Sequence, residues 1–269
     1  MKKQRAFLKW AGGKYRLIDD ITRRLPDATC LVEPFVGAGS VFLNTDFEQY
    51  ILADINPDLI ELYKYLKRSP DEYVSETRKL FVEDTNEKSK YLEIRQEFNN
   101  SKCPQERAIF FLYLNRFGYN GLCRYNQKGG FNVPFGSYKK PYFPEQELYY
   151  FAEKAQRAEF KCQSYVDTIS AAPKGSVVYC DPPYAPLSET ANFTSYAKNG
   201  FSIEDQILLG ELAREKASES IHVLISNHAT KQVEEWYRGA EISKVKVNRY
   251  ISSKGSSRHK VDELFALFK

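Results

Sequence analysis

No run in this chain approaches the roughly 18 consecutive apolar residues that a membrane-spanning helix needs, so no membrane partner is expected. The opening MKKQRAFLKWAGGKYR is basic at first but has no apolar core segment, and no signal peptide is expected from it. Cysteine is sparse: Cys30, Cys103, Cys123, Cys162 and Cys180 are scattered in an odd-numbered set with no paired spacing. That argues against a disulfide frame or a zinc site and for reduced thiols in a cytosol. The three histidines, His222, His228 and His259, form no ligand cluster, so no catalytic metal is expected. One sign of charge is also locally missing. Between Arg107 and Pro144 there is no Asp or Glu, where the chain's 35 acids in 269 residues would put about five. The same window holds Arg107, Arg116, Arg124, Lys128, Lys139 and Lys140 among eleven aromatics. A solvated face or an aromatic core would produce this pattern. So would a nucleic-acid surface, which needs cations for phosphates and rings for bases. The net charge of +4 is too mild to decide between them.

What is present suggests one large domain, or one domain carrying an insertion. CLVEPFVGAGS (30–40) reads as a buried strand closing in Gly37-Ala38-Gly39, with VFL starting a helix behind it. YILADINPDLIELYKYL (50–66) reads as a strand ending at Asp54. Asn56 then caps a helix with Pro57 at its first position and a stripe of Leu59, Ile60, Leu62, Tyr63 and Leu66. Ser69-Pro70 and Phe143-Pro144 signal further helix starts. SVVYCD (176–181) and IHVLISN (221–227) read as two more buried strands. Between them Ser202 and Asp205 form a capping box before a helical stripe of Ile207, Leu208 and Leu212. KVKVNRYI and DELFALF alternate and predict an antiparallel pair. Strands alternating with helices imply a mostly parallel sheet covered on both faces. Residues 57–143 break that rhythm with several helices and a turn-rich tract, and read as an inserted domain.

Ligands in such sheets sit beyond the carboxyl ends of the strands, where FVGAGS lies. Asp54, seventeen residues after Gly37, is placed to accept from ribose hydroxyls. A dinucleotide fingerprint would need a third glycine where Phe42 stands, so a nucleoside ligand without a pyrophosphate suits the loop better. AGGK (11–14) is no P-loop, because Leu8 and Tyr15 occupy its required positions. With a nucleoside-type methyl donor in that loop, the tetrapeptide Asp181-Pro182-Pro183-Tyr184 acquires a chemistry. An exocyclic amine on a base is a poor nucleophile, because its lone pair is delocalised into the ring. Asp181 and the Pro182 carbonyl can accept its two N–H protons, the prolines stiffen the backbone, and Tyr184 offers a face for stacking. The base must leave a duplex to reach such a pocket.

FLKWAGGK, FVGAGS, ILADIN, LYLNRFGYNGLCRYN, FNVPFGSYKKPYFP and VVYCDPPYAPLSETANF together resemble the Dam family of DNA adenine-N6 methyltransferases, over essentially the whole chain. The motif order is similar to the alpha group of amino-methyltransferases and to its solitary enterobacterial members acting on GATC. The resemblance implies a class I, Rossmann-like S-adenosylmethionine-dependent fold. Residues 1–56 and 144–269 would be its catalytic domain, and 57–143 a mostly helical target-recognition domain with a β-hairpin. It implies S-adenosylmethionine as methyl donor, S-adenosylhomocysteine as product, no metal, double-stranded DNA as partner, a monomer, and a bacterial cytoplasmic, nucleoid-associated location. Strand marking for replication and mismatch repair would be its role. Trp10, Lys14, Asp54 and Asp181 match donor contacts, with Phe35, Gly37 and Gly39 in the adjoining loop and Tyr165 near the adenine pocket. Lys9 and Arg124 match guanine readers. Leu122, Pro134 and Tyr138 match other base contacts, and Tyr119 with Asn120 a wedge inserted as the adenine flips. Arg95, Arg116, Asn126 and Asn132 match backbone contacts. One departure is Ser137, where the family pattern PFGRYKK has arginine, which puts a phosphate contact in doubt. The tract SSKGSSRHK (252–260) reads equally as a basic DNA-touching loop or a plain solvated turn.

Two rival readings stand beside this one. An RNA amino-methyltransferase would share the tetrapeptide but not the YNGLCRYN and FNVPFG elements. A non-catalytic DNA-binding subunit would show a damaged loop or tetrapeptide, and both are intact. Cytosine-C5 chemistry needs a Pro-Cys nucleophile, and the chain has only Cys103-Pro104.

Overall fold

The structure, a computed structural model, describes residues 3–184, 201–247 and 261–269. Seven strands form one sheet: β1 (Cys30–Glu33), β2 (Gln49–Asp54), β3 (Ala158–Cys162), β4 (Ser176–Cys180), β5 (His222–His228), β6 (Glu241–Val247) and β7 (Val261–Phe268). Their spatial order is β3-β2-β1-β4-β5-β7-β6. β1 runs parallel to β2 and β4, with Val32 opposite Ile51 and Val178, and β4 runs parallel to β5. β7 is antiparallel to both β5 and β6, and sets Glu263 opposite His228. The four residues of β1 and the five of β4 are all buried, as an apolar run covered on both faces requires. No helix among the described residues is long and apolar enough to cross a membrane.

The helices are α1 (Ile18–Thr22), α2 (Pro57–Arg68), α3 (Pro70–Arg78), α4 (Lys88–Asn100), α5 (Pro104–Phe117), α6 (Glu145–Lys154), α7 (Tyr165–Ser170), α8 (Ile203–Ser218) and α9 (Lys231–Trp236). α2 starts as expected: the Asn56 side chain accepts from the backbone N–H of Asp58 and Leu59, and Pro57 takes the first position. Its predicted stripe of Leu59, Ile60, Leu62, Tyr63 and Leu66 is fully buried. α8 opens on the expected Ser202–Asp205 capping box.

The chain packs into two compact units, residues 1–18, 36–46 and 54–162 in the first and residues 19–35, 47–53 and 163–269 in the second. The core of the first is aromatic. Tyr63 stacks on Phe151 at 4.6 Å and Tyr113 on Phe117 at 4.2 Å, offset-stacked contacts that add to what burial alone contributes. The second is centred on Val32, Val178, Val223, Ile225, Leu264 and Ala266 from the sheet, packed with Leu209 and Ala213 of α8.

Three local expectations are corrected. The helix expected at VFL is a single 3-10 turn, Phe42–Asn44. Asn44 Nδ2 donates to the Ser40 carbonyl and Thr45 Oγ1 to that of Val41, so side chains take up the turn's carbonyls and the helix stops. In α8, Leu212 is buried as expected, but Ile207 and Leu208 are 39% and 37% exposed, and the rest of the inward face is Gln206, Leu209, Gly210, Ala213 and Lys216. A Cβ on Gly210 would lie 2.6 Å from the Trp236 carbonyl, so only glycine lets the helix approach there. Gln206 is held inside by hydrogen bonds from Asn227 Nδ2 (3.0 Å) and the Tyr237 hydroxyl (2.7 Å). The hairpin expected in the inserted region is held by two isolated antiparallel bridges, Gly118 to Phe135 and Tyr125 to Phe131. Pro134 has no N–H for a continuous ladder there. KVKVNRYI pairs antiparallel with DELFALF as expected, through its described part. The tracts 185–193 and 252–260 lie outside the described residues.

Candidate functional site

The first unit carries the glycine loop. Gly37 and Gly39 adopt left-handed φ of 46° and 71°, which disfavour any side chain. A Cβ on Gly37 would lie 2.8 Å from Trp10 Nε1. Asp54 is tied to the loop: its Oδ2 accepts from Gly37 N at 3.1 Å and its Oδ1 from Asn56 N at 3.0 Å. The Tyr63 hydroxyl donates to the Gly37 carbonyl at 2.5 Å. Burial raises the Asp54 carboxyl above its usual range, opposed by the backbone N–H bonds it receives. Ile55, directly after this half-buried acid, is 79% exposed. The sequence pattern did not single it out, because an isoleucine ending a strand reads as core. Lys14 is buried and donates to the Gly12 carbonyl at 3.0 Å.

The second unit carries the tetrapeptide at the end of β4. Asp181 and Tyr184 are half-buried and Pro182 is buried. Asp181 Oδ1 lies 3.0 Å from Ser226 Oγ of β5, and that oxygen is 3.0 Å from the Tyr179 hydroxyl. The Tyr184 hydroxyl donates to the Glu263 carboxylate of β7, and the Tyr184 ring meets His228 edge-on at 4.8 Å. Gln206 Nε2 anchors the Pro183 carbonyl at 2.8 Å. Phe35 stacks on Tyr165 at 5.4 Å, and the Tyr165 hydroxyl donates to Asp205 Oδ1 at 2.9 Å. Burial, then that carboxylate, raises the Tyr165 phenol well above its usual range. Ser226 and Glu263 were not legible as site residues. Each lies far along the chain from Asp181, and only strand pairing brings them to it.

The candidate DNA-contacting residues lie in the first unit and form three groups. In one, Lys9 Nζ sits 3.7 Å from the centre of the Tyr138 ring and donates to the Arg116 carbonyl at 3.1 Å. Burial, aided by the Arg116 charge, pushes its ammonium down to about 8. The Tyr138 hydroxyl accepts from Asn120 N at 2.9 Å, and Asn120 has a left-handed φ of 53°. Tyr119 beside it is 50% exposed, and its N–H donates to the Pro134 carbonyl at 2.9 Å. Arg116 donates to the Tyr142 and Phe7 carbonyls. In the second group, Arg124 donates to Asn132 Oδ1 at 2.7 Å and to its carbonyl at 3.1 Å. Leu122 is half-buried nearby in sequence, and Asn126 Oδ1 accepts from Lys128 N and Gly130 N in a side-chain turn. In the third, Arg95 donates to the Val133 carbonyl at 2.9 Å. Ser137 is exposed with a left-handed φ of 52°.

The acid-free window serves two purposes. Phe111, Tyr113, Phe117 and Phe131 are core, whereas Tyr119 and Tyr142 are about half exposed. Arg107, counted among its cations, grips Asp58 bidentately at 2.7 and 2.8 Å, so an acid outside the window already pairs its charge. All five cysteines are free thiols, and burial raises the Cys123 thiol to about 12.

Residues 10–251 match the family model described as D12 class N6 adenine-specific DNA methyltransferase. The DNA adenine methylase of Vibrio cholerae serotype O1 is 65% identical over 269 residues, all of this chain and 97% of the relative. That of Escherichia coli K12 is 64% identical over the same span, with the same coverage. That of Serratia marcescens is 58% identical over 270 residues and the full length of both chains. A match over nine-tenths of the chain, on a mostly parallel α/β sheet with an acid-proline-proline-tyrosine turn at the end of β4, leaves one conclusion: this protein belongs to the D12 class of N6 adenine-specific DNA methyltransferases.

Proposed function

We propose that this enzyme takes the methyl group of S-adenosylmethionine, leaving S-adenosylhomocysteine, and places it on N6 of an adenine swung out of duplex DNA within GATC. The observation that carries the reading is the anchored tetrapeptide, with Asp181 held by Ser226 and Tyr184 by Glu263. In the first unit, a glycine loop packed against the Trp10 indole, the half-buried acid Asp54 and the exposed Ile55 suit a nucleoside with ribose hydroxyls to bind and a ring to cover. Trp10, Lys14, Gly37, Gly39 and Asp54 are the donor contacts proposed within this unit, and Phe35, Tyr165 and Asp181 are those proposed within the second. When bound, the donor supplies a methyl group already activated on a sulfonium sulfur.

The chain's own part is positioning and electrostatics. Asp181 and the Pro182 carbonyl accept the two N6–H bonds, which favours a pyramidal nitrogen with a directed lone pair. Asp181 is also the acceptor for the proton that N6 loses. Tyr184 stacks on the extruded base. In the first unit, Lys9 and Arg124 read guanines, while Leu122, Pro134 and Tyr138 touch other bases. Tyr119 and Asn120 wedge the opened stack, a reading supported by the exposure of Tyr119 and the left-handed Asn120 beside it. Arg95, Arg116, Asn126 and Asn132 meet the backbone and set affinity more than sequence choice. The enzyme would act as a monomer on DNA in a bacterial cytoplasm.

The test is incubation with labelled S-adenosylmethionine and two duplexes, one with GATC and one with that site scrambled. Label recovered as N6-methyladenine from the first alone is expected. Equal label in both would remove the GATC assignment, and none in either would remove the donor or the substrate.

A further inference from the structure

Two residues outside the tetrapeptide reach into it from neighbouring strands. Ser226, fully buried on β5, has its hydroxyl 3.0 Å from Asp181 Oδ1 and 3.4 Å from the Cys180 carbonyl. A hydroxyl has a single proton. If Ser226 gives its proton to the nearer, charged acceptor, the Tyr179 hydroxyl at 3.0 Å must supply the proton that Ser226 accepts. The line Tyr179, Ser226, Asp181 is then satisfied throughout, and Tyr179 and Ser226 are both buried where water cannot substitute. Glu263, 2% exposed on β7, accepts from the Tyr184 hydroxyl. A carboxylate is costly to bury unless it is hydrogen-bonded, so its place in the interior needs a local reason. Holding the Tyr184 ring against the edge of His228 supplies one.

We infer that Ser226 and Glu263 are the positioning residues of the transfer, Ser226 aiming the Asp181 carboxylate and Glu263 fixing the Tyr184 ring plane. The inference rests on the reading of the tetrapeptide proposed above. Neither residue meets the adenine, and each acts through the side chain that does. Their strands are paired directly, Ser226 opposite Phe265 and His228 opposite Glu263, so sheet register fixes both supports relative to the tetrapeptide.

The experiment uses the full chain, a GATC duplex and saturating S-adenosylmethionine. Ser226→Ala is expected to lower kcat and kcat/KM together by about 10- to 100-fold, with KM for DNA unchanged, and Ser226→Thr to restore much of the loss. Glu263→Ala is expected to cost a similar factor, and Glu263→Gln, which keeps an acceptor oxygen, less. In a double-mutant cycle Glu263→Ala should add little to Tyr184→Phe, because both remove one hydrogen bond; two side chains acting independently would give additive losses. If an Ala variant fails to fold, Tyr184→Phe removes the bond to Glu263 from the other side, and Tyr179→Phe removes the partner that leaves the Ser226 proton committed to Asp181. Wild-type rates in all of these variants, or additive losses in the cycle, would overturn the inference while leaving the function intact. A wild-type protein that puts no label into GATC would overturn the function itself.

Discussion

The backbone N–H of Gly37 donates to the carboxylate of Asp54 at 3.1 Å, so the glycine loop is tied to the acid that ends β2. Gly37 holds a φ of 46° there, and a Cβ would sit 2.8 Å from Trp10 Nε1. Gly37→Ala therefore carries a backbone penalty of about 1–2 kcal/mol and also pushes the indole aside. The expected result is a lowered unfolding temperature together with at least a tenfold weaker donor affinity, read by titration calorimetry. Lost stability at wild-type affinity would separate the loop from the donor site.

Lys9 gives a pH signature. Its ammonium, lowered to about 8 by burial and by Arg116, loses its proton as pH rises through that value. If the charged form reads guanine, affinity for the GATC duplex falls between about pH 7 and pH 9. Lys9→Arg, charged throughout, removes that step. The stability effect has the opposite sign. The unfolded chain keeps the ordinary lysine value of 10.5, so it binds the extra proton between about 8 and 10.5 and folding becomes more favourable as pH rises through that window. Denaturant unfolding of wild type and Lys9→Met across this range checks the sign.

Asp58 accepts from Arg107 and, at 2.6 Å, from the Tyr125 hydroxyl. It lies in the first turn of α2, two residues after Asn56, whose Nδ2 is 3.3 Å from Cys123 Sγ. The residues on either side of Arg124 are thus pinned to the start of that helix. Tyr125→Phe removes one hydrogen bond to a charged group, a loss of about 1.5–3 kcal/mol. Arg107→Ala leaves a carboxylate that is 7% exposed without its cation and should cost about 3–5 kcal/mol. Equilibrium unfolding measures both, and the larger loss belongs to Arg107.

Legibility followed the range of the interactions. β1 and β4 could be read directly because a strand buried on both faces is an unbroken apolar run. The starts of α2 and α8 could be read because Asn56 and Ser202 act within three residues of themselves. The inward face of α8 could not, since Gly210 and Gln206 face inward only because residues 227, 236 and 237 lie against them. The same holds at the tetrapeptide. Asp181 and its prolines are a local pattern, whereas Ser226 and Glu263 lie 45 and 79 residues from the groups they hold.

Ser137 brings two opposed effects to one position. Its φ of 52° is one that a β-carbon disfavours, so Ser137→Gly relieves about 1 kcal/mol and gives back about half of that through the freer unfolded chain. A small net gain in stability is expected. Ser137→Arg places there the residue that the resemblance implies. It keeps the same backbone strain, so stability should stay within about 0.5 kcal/mol of wild type, as at other exposed sites. The gain should appear in DNA binding. One added phosphate contact releases about one more counterion, so the slope of log affinity against log salt steepens by about 0.9, equally for GATC and scrambled duplexes. Affinity titrations at several salt concentrations decide it. An unchanged slope would mean that the left-handed turn aims this side chain away from the backbone, while a gain confined to GATC would make position 137 a base reader.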